Sequence, residues 1–250
     1  MEDNKEIIQK ENSISALMAI VSIIPHIGSA INEVFFERRS RIKQARVNNF
    51  VTELGKSVRR LDESKINREY IHSDEFGDIL ESTFKKVMEH GTTLRILRFK
   101  NILLNQTILN FENSIIETFL NVVTTLTEQQ LLLLENYQIN ESKLKRFNKR
   151  LKEEEKLGSR SITFTSKKVT LENADVHELR NLYDSFLDNI YKQSGVTDDH
   201  NVEFFIQDLV SKSLLSDISF TIKNRKPNDI LLLTNYGKMF LRFIIEYKDK

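Results

Sequence analysis

"SDISFTIKNRKPNDILLLTNYGKMFLRFIIEY", residues 216 to 247, decides the fold. Apolar side chains alternate at Ile218, Phe220 and Ile222, the period of a half-buried strand. Asn224 to Asn228 encloses Pro227 and has the composition of a turn, and Ile230 to Leu233 is a short apolar run of strand length. Thr234 then stands where the N-cap of a closing helix belongs. Strand, polar turn, strand and helix, preceded by further helices, is the order of a winged-helix domain.

Immediately upstream, "NADVHELRNLYDSFLDNIYK" and "NVEFFIQDLVSKSLL" have helical periodicity. Before them come "RSITFTSKKVTLEN", in which Ile162 and Phe164 alternate with polar residues, and the charged helix "ESKLKRFNKRLKEEEK" ended by Gly158. Thr125 to Glu128 has the composition of a helix start and leads into "EQQLLLLENY". From Thr92, "TTLRILRFKNILLNQTILNFENSIIETFLNVVTTL" carries the strongest helical signal. A heptad-like stripe of Leu94, Leu97, Leu104, Ile108, Phe111, Ile115 and Val122 reads as core. Residues 63–78 are polar and read as a connection, with helix resuming near Phe76. A helix from about Gly28 to Leu61 should turn Ile31, Val34, Phe35, Ile42, Val47, Phe50, Val51, Leu54 and Val58 inward.

The expected fold is therefore mainly α: an N-terminal helical bundle over 1–124, then a C-terminal winged-helix-like domain with one β-hairpin over 125–250. The second domain carries a polar insertion at about 141–172. Two prolines and seven glycines in 250 residues agree with long helices and few turns.

The N-terminal stretch is unusual. No residue from Asn12 to Asn32 bears a formal charge, and as one helix this length would reach about 30 Å. Pro25 and Gly28 divide it, leaving an arm too short to cross a bilayer before the break. Ser15, Ala19 and Ser22 share a stripe that permits close helix approach. The arm, with Ile14, Leu17, Met18, Val21, Ile24, Pro25 and Gly28, is thus a partner or membrane segment, a buried or partner-covered hairpin arm being preferred to membrane insertion or anchoring. The first twelve residues hold four acids and two lysines, which argues against a secretory leader. A cytoplasmic location is expected, peripheral to or anchored in the inner face of the membrane if the arm inserts.

The chemistry excluded is extensive. Without cysteine there are no disulfides, thiolate metal sites or thiol nucleophiles. The closest glycines, Gly77 and Gly91, are too far apart for a phosphate-binding loop or nucleophile elbow. His26, His72, His90, His177 and His200 lack ligand spacing. Two acidic clusters, His72 with Asp74, Glu75 and Asp78, and Asp198, Asp199, His200 and Glu203, read as helix N-terminal acids rather than metal ligands. No enzyme, cofactor or small-molecule substrate is expected.

A net charge of +1 gives no global field for polyanions, so such binding needs a local patch. The wing candidates Lys223, Arg225 and Lys226 are few. The helix expected in the recognition position is acidic, with Asp198, Asp199, Glu203, Asp208 and Asp217 against Lys212, and would repel phosphate. A stronger basic set lies at Arg38, Arg39, Arg41, Lys43 and Arg46, continuing to Lys56, Arg59 and Arg60. A solvated face is its plain reading. An anionic membrane surface is the first functional one, with nucleic acid behind it. A protein partner or self-association is expected.

The order of features resembles bacterial abortive-infection proteins of the Abi-alpha type and related helical families. It is carried by the apolar arm with its Pro/Gly break, the basic helix, "LRFKNILLNQTI" (97–108), "LTEQQLLLLENY" (126–137) and "LLLTNYGKMFLRFI" (231–244). The polar stretch at 141–172 departs from that pattern. The resemblance implies a phage-defence or related accessory role without enzymatic chemistry, and it brings no catalytic motif. The alternative reading is a winged-helix nucleic-acid-binding regulator.

Overall fold

The computed structural model describes residues 39–58, 60–61, 63–157, 176–196, 198–219 and 230–245. The apolar arm from Ile14 to Gly28, Arg38, Arg59, the alternation at Ile162 and Phe164, and the wing residues Lys223, Arg225 and Lys226 lie outside them. The described residues form ten α-helices, one short 3-10 turn and a two-stranded antiparallel sheet. They divide into two compact units, one up to Leu126 together with the residues from Arg242, the other from Thr127 to Leu241.

The first unit contains α1 (Arg39–Val58), α2 (Arg68–Ile71), α3 (Asp74–His90), α4 (Thr93–Leu109) and α5 (Asn113–Thr125). Val47, Phe50, Leu54 and Val58 form the inner face of α1, and Phe50 meets Phe84 of α3 edge to face. Ile42, expected inside, is 58% exposed and Val51 half-buried, while Ile31, Val34 and Phe35 lie outside the described residues. The polar stretch from 63 to 78 is more than a connection. It holds α2, whose Tyr70 and Ile71 are buried, and Ser73 caps α3 by accepting from the Phe76 amide.

α4 is the axis of this unit, and it corrects the heptad stripe. Of its members Leu104 and Val122 are buried as expected, Leu97, Ile108, Phe111 and Ile115 are only half-buried, and Leu94 is exposed. Instead every residue from Arg98 to Thr107 is buried, because α1, α3 and α5 all pack on the same helix. A helix covered on all sides has no apolar stripe to read. Several of its buried polar groups bond to neighbouring elements, although the Asn101 and Asn105 carboxamide oxygens are buried without a partner. Gln106 donates to the Phe111 carbonyl at 2.7 Å and to the Tyr70 hydroxyl at 2.9 Å, and accepts from the Phe111 amide at 3.0 Å. That seals the corner at Asn110, whose φ of 45° ends the helix in the left-handed region that Asn tolerates. Tyr70 in turn donates to Asn113, and Asn113 to the Glu75 carbonyl, so one hydrogen-bonded chain ties α2, α3, α4 and α5.

Asn101 and Asn105, one turn apart on α4, serve the end of the final helix. Asn101 Nδ2 donates to the Ile244 carbonyl at 2.8 Å. Asn105 Nδ2 lies within 3.2 Å of the carbonyls of Arg242, Phe243 and Ile245. Carbonyls at a helix C-terminus lack intrahelical partners, and these two carboxamides replace the water that burial removes. Phe243 packs edge to face on Phe111 and tilted on Phe119 beside them.

The second unit contains α6 (Glu128–Ile139), α7 (Glu141–Leu157), α8 (Val176–Gln193), α9 (Asp199–Ser211), β1 (Leu215–Asp217), β2 (Leu231–Leu233) and the start of α10 (Asn235–Ile244). Thr127 and Gln130 form a reciprocal capping box at the head of α6, a motif whose loss costs about 1 kcal/mol. The charged sequence of α7 still buries Leu144, Phe147 and Leu151, and Phe147 lies against Tyr183 and Phe186 of α8. In the sheet Leu215 pairs with Leu233, Ser216 with Leu232 and Asp217 with Leu231. The first strand thus begins three residues earlier than the alternation at Ile218 suggests. Ile218 still donates its amide to the Ile230 carbonyl at 2.9 Å.

The junction of α9, the sheet and α10 is tight. Thr234 caps α10 as expected, accepting from the Gly237 amide at 2.8 Å while its hydroxyl donates to the Ser213 carbonyl at 2.6 Å. Gly237 sits against the Leu214 carbonyl with no room for a Cβ.

Candidate functional site

Acids of both clusters stand at helix starts. Asp74 and Glu75 occupy the first turn of α3, and the Glu75 carboxyl is held below its ordinary value by its own backbone amide and by Ser73. Asp198 precedes α9, where its carbonyl receives the Val202 amide and its carboxylate the Asn201 carboxamide. Among the described residues, no group of three or more His, Asp or Glu side chains is placed to hold a metal.

The strongly perturbed group of the second unit is Tyr137 on α6. Burial pushes its phenol well above the ordinary value, and the neighbouring Tyr191 and Tyr183 push it further. A neutral, fully buried phenol packs; it does not act as a base. Asn148 of α7 is buried with both carboxamide atoms unpartnered, at a cost of about 1–3 kcal/mol for each unsatisfied group.

Glu141, at the head of α7, joins two elements. Its carboxylate lies 2.7 Å from Lys145 and 2.5 Å from Lys238 of α10. These two ammonium groups, Lys145 first, hold the Glu141 carboxyl below its ordinary value of 4.5. A depressed carboxyl stabilises the fold fully above its unfolded pKa, and the contribution is lost as pH falls through the lower folded value. Urea unfolding of Glu141→Gln should therefore show a loss of up to about 1 kcal/mol at neutral pH that disappears in acid.

The basic set is divided by the structure. Arg38 lies outside the described residues, and Arg39 opens α1. Arg41 is exposed and Lys43 half-exposed. Arg46 is occupied: its guanidinium donates to the Met88 carbonyl at 2.6 Å and the Glu89 carbonyl at 3.1 Å, capping the end of α3. Lys56 pairs with Glu53 at 2.8 Å. Among the described residues, no helix is long and apolar enough to cross a membrane.

One surface was not singled out by sequence. α9 buries Phe205, Ile206 and Leu209, yet leaves Phe204 63% exposed. The Phe204 ring is tilted on that of Phe205 at 6.0 Å, and the polar residues near it in sequence, Glu203 and Gln207, are hydrogen-bonded, with Glu203 accepting from Gln207 at 3.2 Å. The lysine of this segment is taken up: Lys212 pairs with Asp208, which also accepts from Gln130 at 2.8 Å. The signal was present in "VEFFIQDL". Positions 202, 205, 206 and 209 make one helical face, and Phe204 is about 100° off its neighbour Phe205 in that face.

Compared with family models, curated proteins and solved structures, the chain matches none of them.

Proposed function

We propose that this is a bacterial protein of phage-defence or abortive-infection type, cytoplasmic and without chemistry of its own, that works by docking on another protein. In this reading the second unit is winged-helix-like, with α9 in the position of the recognition helix and the hairpin after β1 as the wing. The observation that supports docking on protein is the outward face of α9, which offers an exposed aromatic ring between Glu203 and Gln207. Aromatic rings set among polar groups are favoured protein anchors, whereas phosphate contact requires cations.

Expression in a bacterial host, followed by plating of a broad phage panel, tests the reading. Plating should fall for at least one phage relative to an empty vector. Unchanged plating across the panel overturns it. The competing reading, a nucleic-acid regulator, demands salt-dependent duplex binding. With the acidic α9 foremost, none is expected even at low salt.

A further inference from the structure

We infer that the chain's own apolar arm, with Ile14, Leu17, Val21 and Ile24, folds back on Ile42 and Leu94, a contact separate from the protein-docking face of α9. Ile42 is 58% exposed and Leu94 47% exposed. Both stand at the end of the first unit where α1 begins. Ile42 is one turn before Arg46 on the same side of the helix. Arg46 in turn is fixed at the corner between α3 and α4. Its guanidinium holds the Met88 and Glu89 carbonyls, and its Cδ is 3.1 Å from where a Cβ on Gly91 would stand. Leu94 follows that corner by three residues, in the first turn of α4.

The place of the pair selects its occupant. Ile42 is three residues past Arg39, the first described residue of α1, so the chain preceding α1 is tethered beside it. That chain bears no formal charge from Asn12 to Asn32. Ile14, Leu17, Val21 and Ile24 are spaced by three, four and three, which makes one apolar stripe of a helix. Pro25 and Gly28 follow, where a helix breaks and the chain can reverse. With α1 reaching back to Gly28, as its sequence predicts, residues 28–42 would span about 21 Å of helix. An arm reversed at the break runs back about 15 Å from Ile24 to Ile14, which brings Ile14 to about one turn from Ile42.

A separate protein is a poorer occupant. Two side chains offer far less than the roughly 800 Å² that each partner contributes to a stable complex. A tethered segment needs no such area. It meets the pair at the effective concentration of a short linker, on the order of millimolar, and is spared most of the cost of association.

The chain has no cysteine, so single thiols report without background. In the full chain, Ile42→Cys and Leu94→Cys should react with a maleimide about 10-fold more slowly than Ile139→Cys, at the 77% exposed position that ends α6. Adding Leu17→Asp and Val21→Asp should bring the Ile42→Cys rate up to that of Ile139→Cys, because carboxylates hold the arm in water. The Ile139→Cys rate should ignore them. With Ile14→Cys and Ile42→Cys combined, a thiol–thiol crosslinker should join the two within one chain, at a rate independent of protein concentration. Ile42→Cys that reacts as fast as Ile139→Cys, or keeps its rate when the aspartates are added, overturns the inference. So does a pair that fails to crosslink, or one that crosslinks only between chains, which would give the surface to a second copy.

Discussion

Gly237→Val should unfold the second unit. A Cβ at this position would collide with the Leu214 carbonyl oxygen and lie 3.1 Å from Leu233 Cδ1. Neither neighbour can retreat. The Leu214 carbonyl already receives the Thr234 amide and hydroxyl, both at 3.2 Å, and Leu233 is in the sheet opposite Leu215. Relief of the clash would have to open the turn between α9 and β1, the hairpin pairing or the cap of α10. Even Gly237→Ala should cost about 2–3 kcal/mol, in the range of overpacked cores, and Val more. Gly55 and Gly77 give the internal comparison. Each lies in a helix with nothing within 4 Å of the place a methyl would take, so Ala there should stabilise by about 0.5–1 kcal/mol. Urea unfolding of the three alanine variants checks the contrast.

Asn105→Ala should cost about 3 kcal/mol, more than most buried polar substitutions, because one carboxamide serves three carbonyls. Truncation leaves the end of α10 without this donor at a site that is buried at the Phe243 carbonyl and part-buried at those of Arg242 and Ile245. Asn101→Ala removes a single bond to Ile244 and should cost about 1–2 kcal/mol. The two sites serve the same helix end, so the double variant should lose less than the sum. Denaturant midpoints of the three proteins decide this, and equal midpoints for Asn105→Ala and the parent would remove the carboxamides from the account.

The helices and the short sheet were legible in the sequence where local chemistry sets them. Thr127 and Thr234 could be read as caps because a side-chain oxygen beside a helix start has one local task. Val47, Phe50 and Leu54 could be read as core because α1 buries a single apolar face among the described residues. α4 could not be read this way. Its packing on three helices buries Asn101, Asn105 and Gln106 beside Ile102 and Leu103, and no period survives. The corner at Asn110 was hidden for a related reason, since its seal comes from a glutamine within the helix rather than from Gly or Pro. The basic set was legible as composition, but which arginine is spent on α3 depends on a contact 42 residues away in sequence. Phe204 was legible from its angle on α9, and was masked by the run of apolar neighbours.

The most direct measurement of the central claim is the efficiency of phage plating on cells making equal amounts of three proteins. These are the parent, Phe204→Ala combined with Glu203→Lys, and a variant with Lys223, Arg225 and Lys226 replaced by Gln. Neither variant alters a residue of the buried cores described above, and equal soluble amounts control for folding. Docking through α9 predicts protection by the parent and by the wing variant, and loss of protection with the α9 variant. Protection that survives the α9 changes but disappears with the wing cations would contradict the account and return the chain to the nucleic-acid readers.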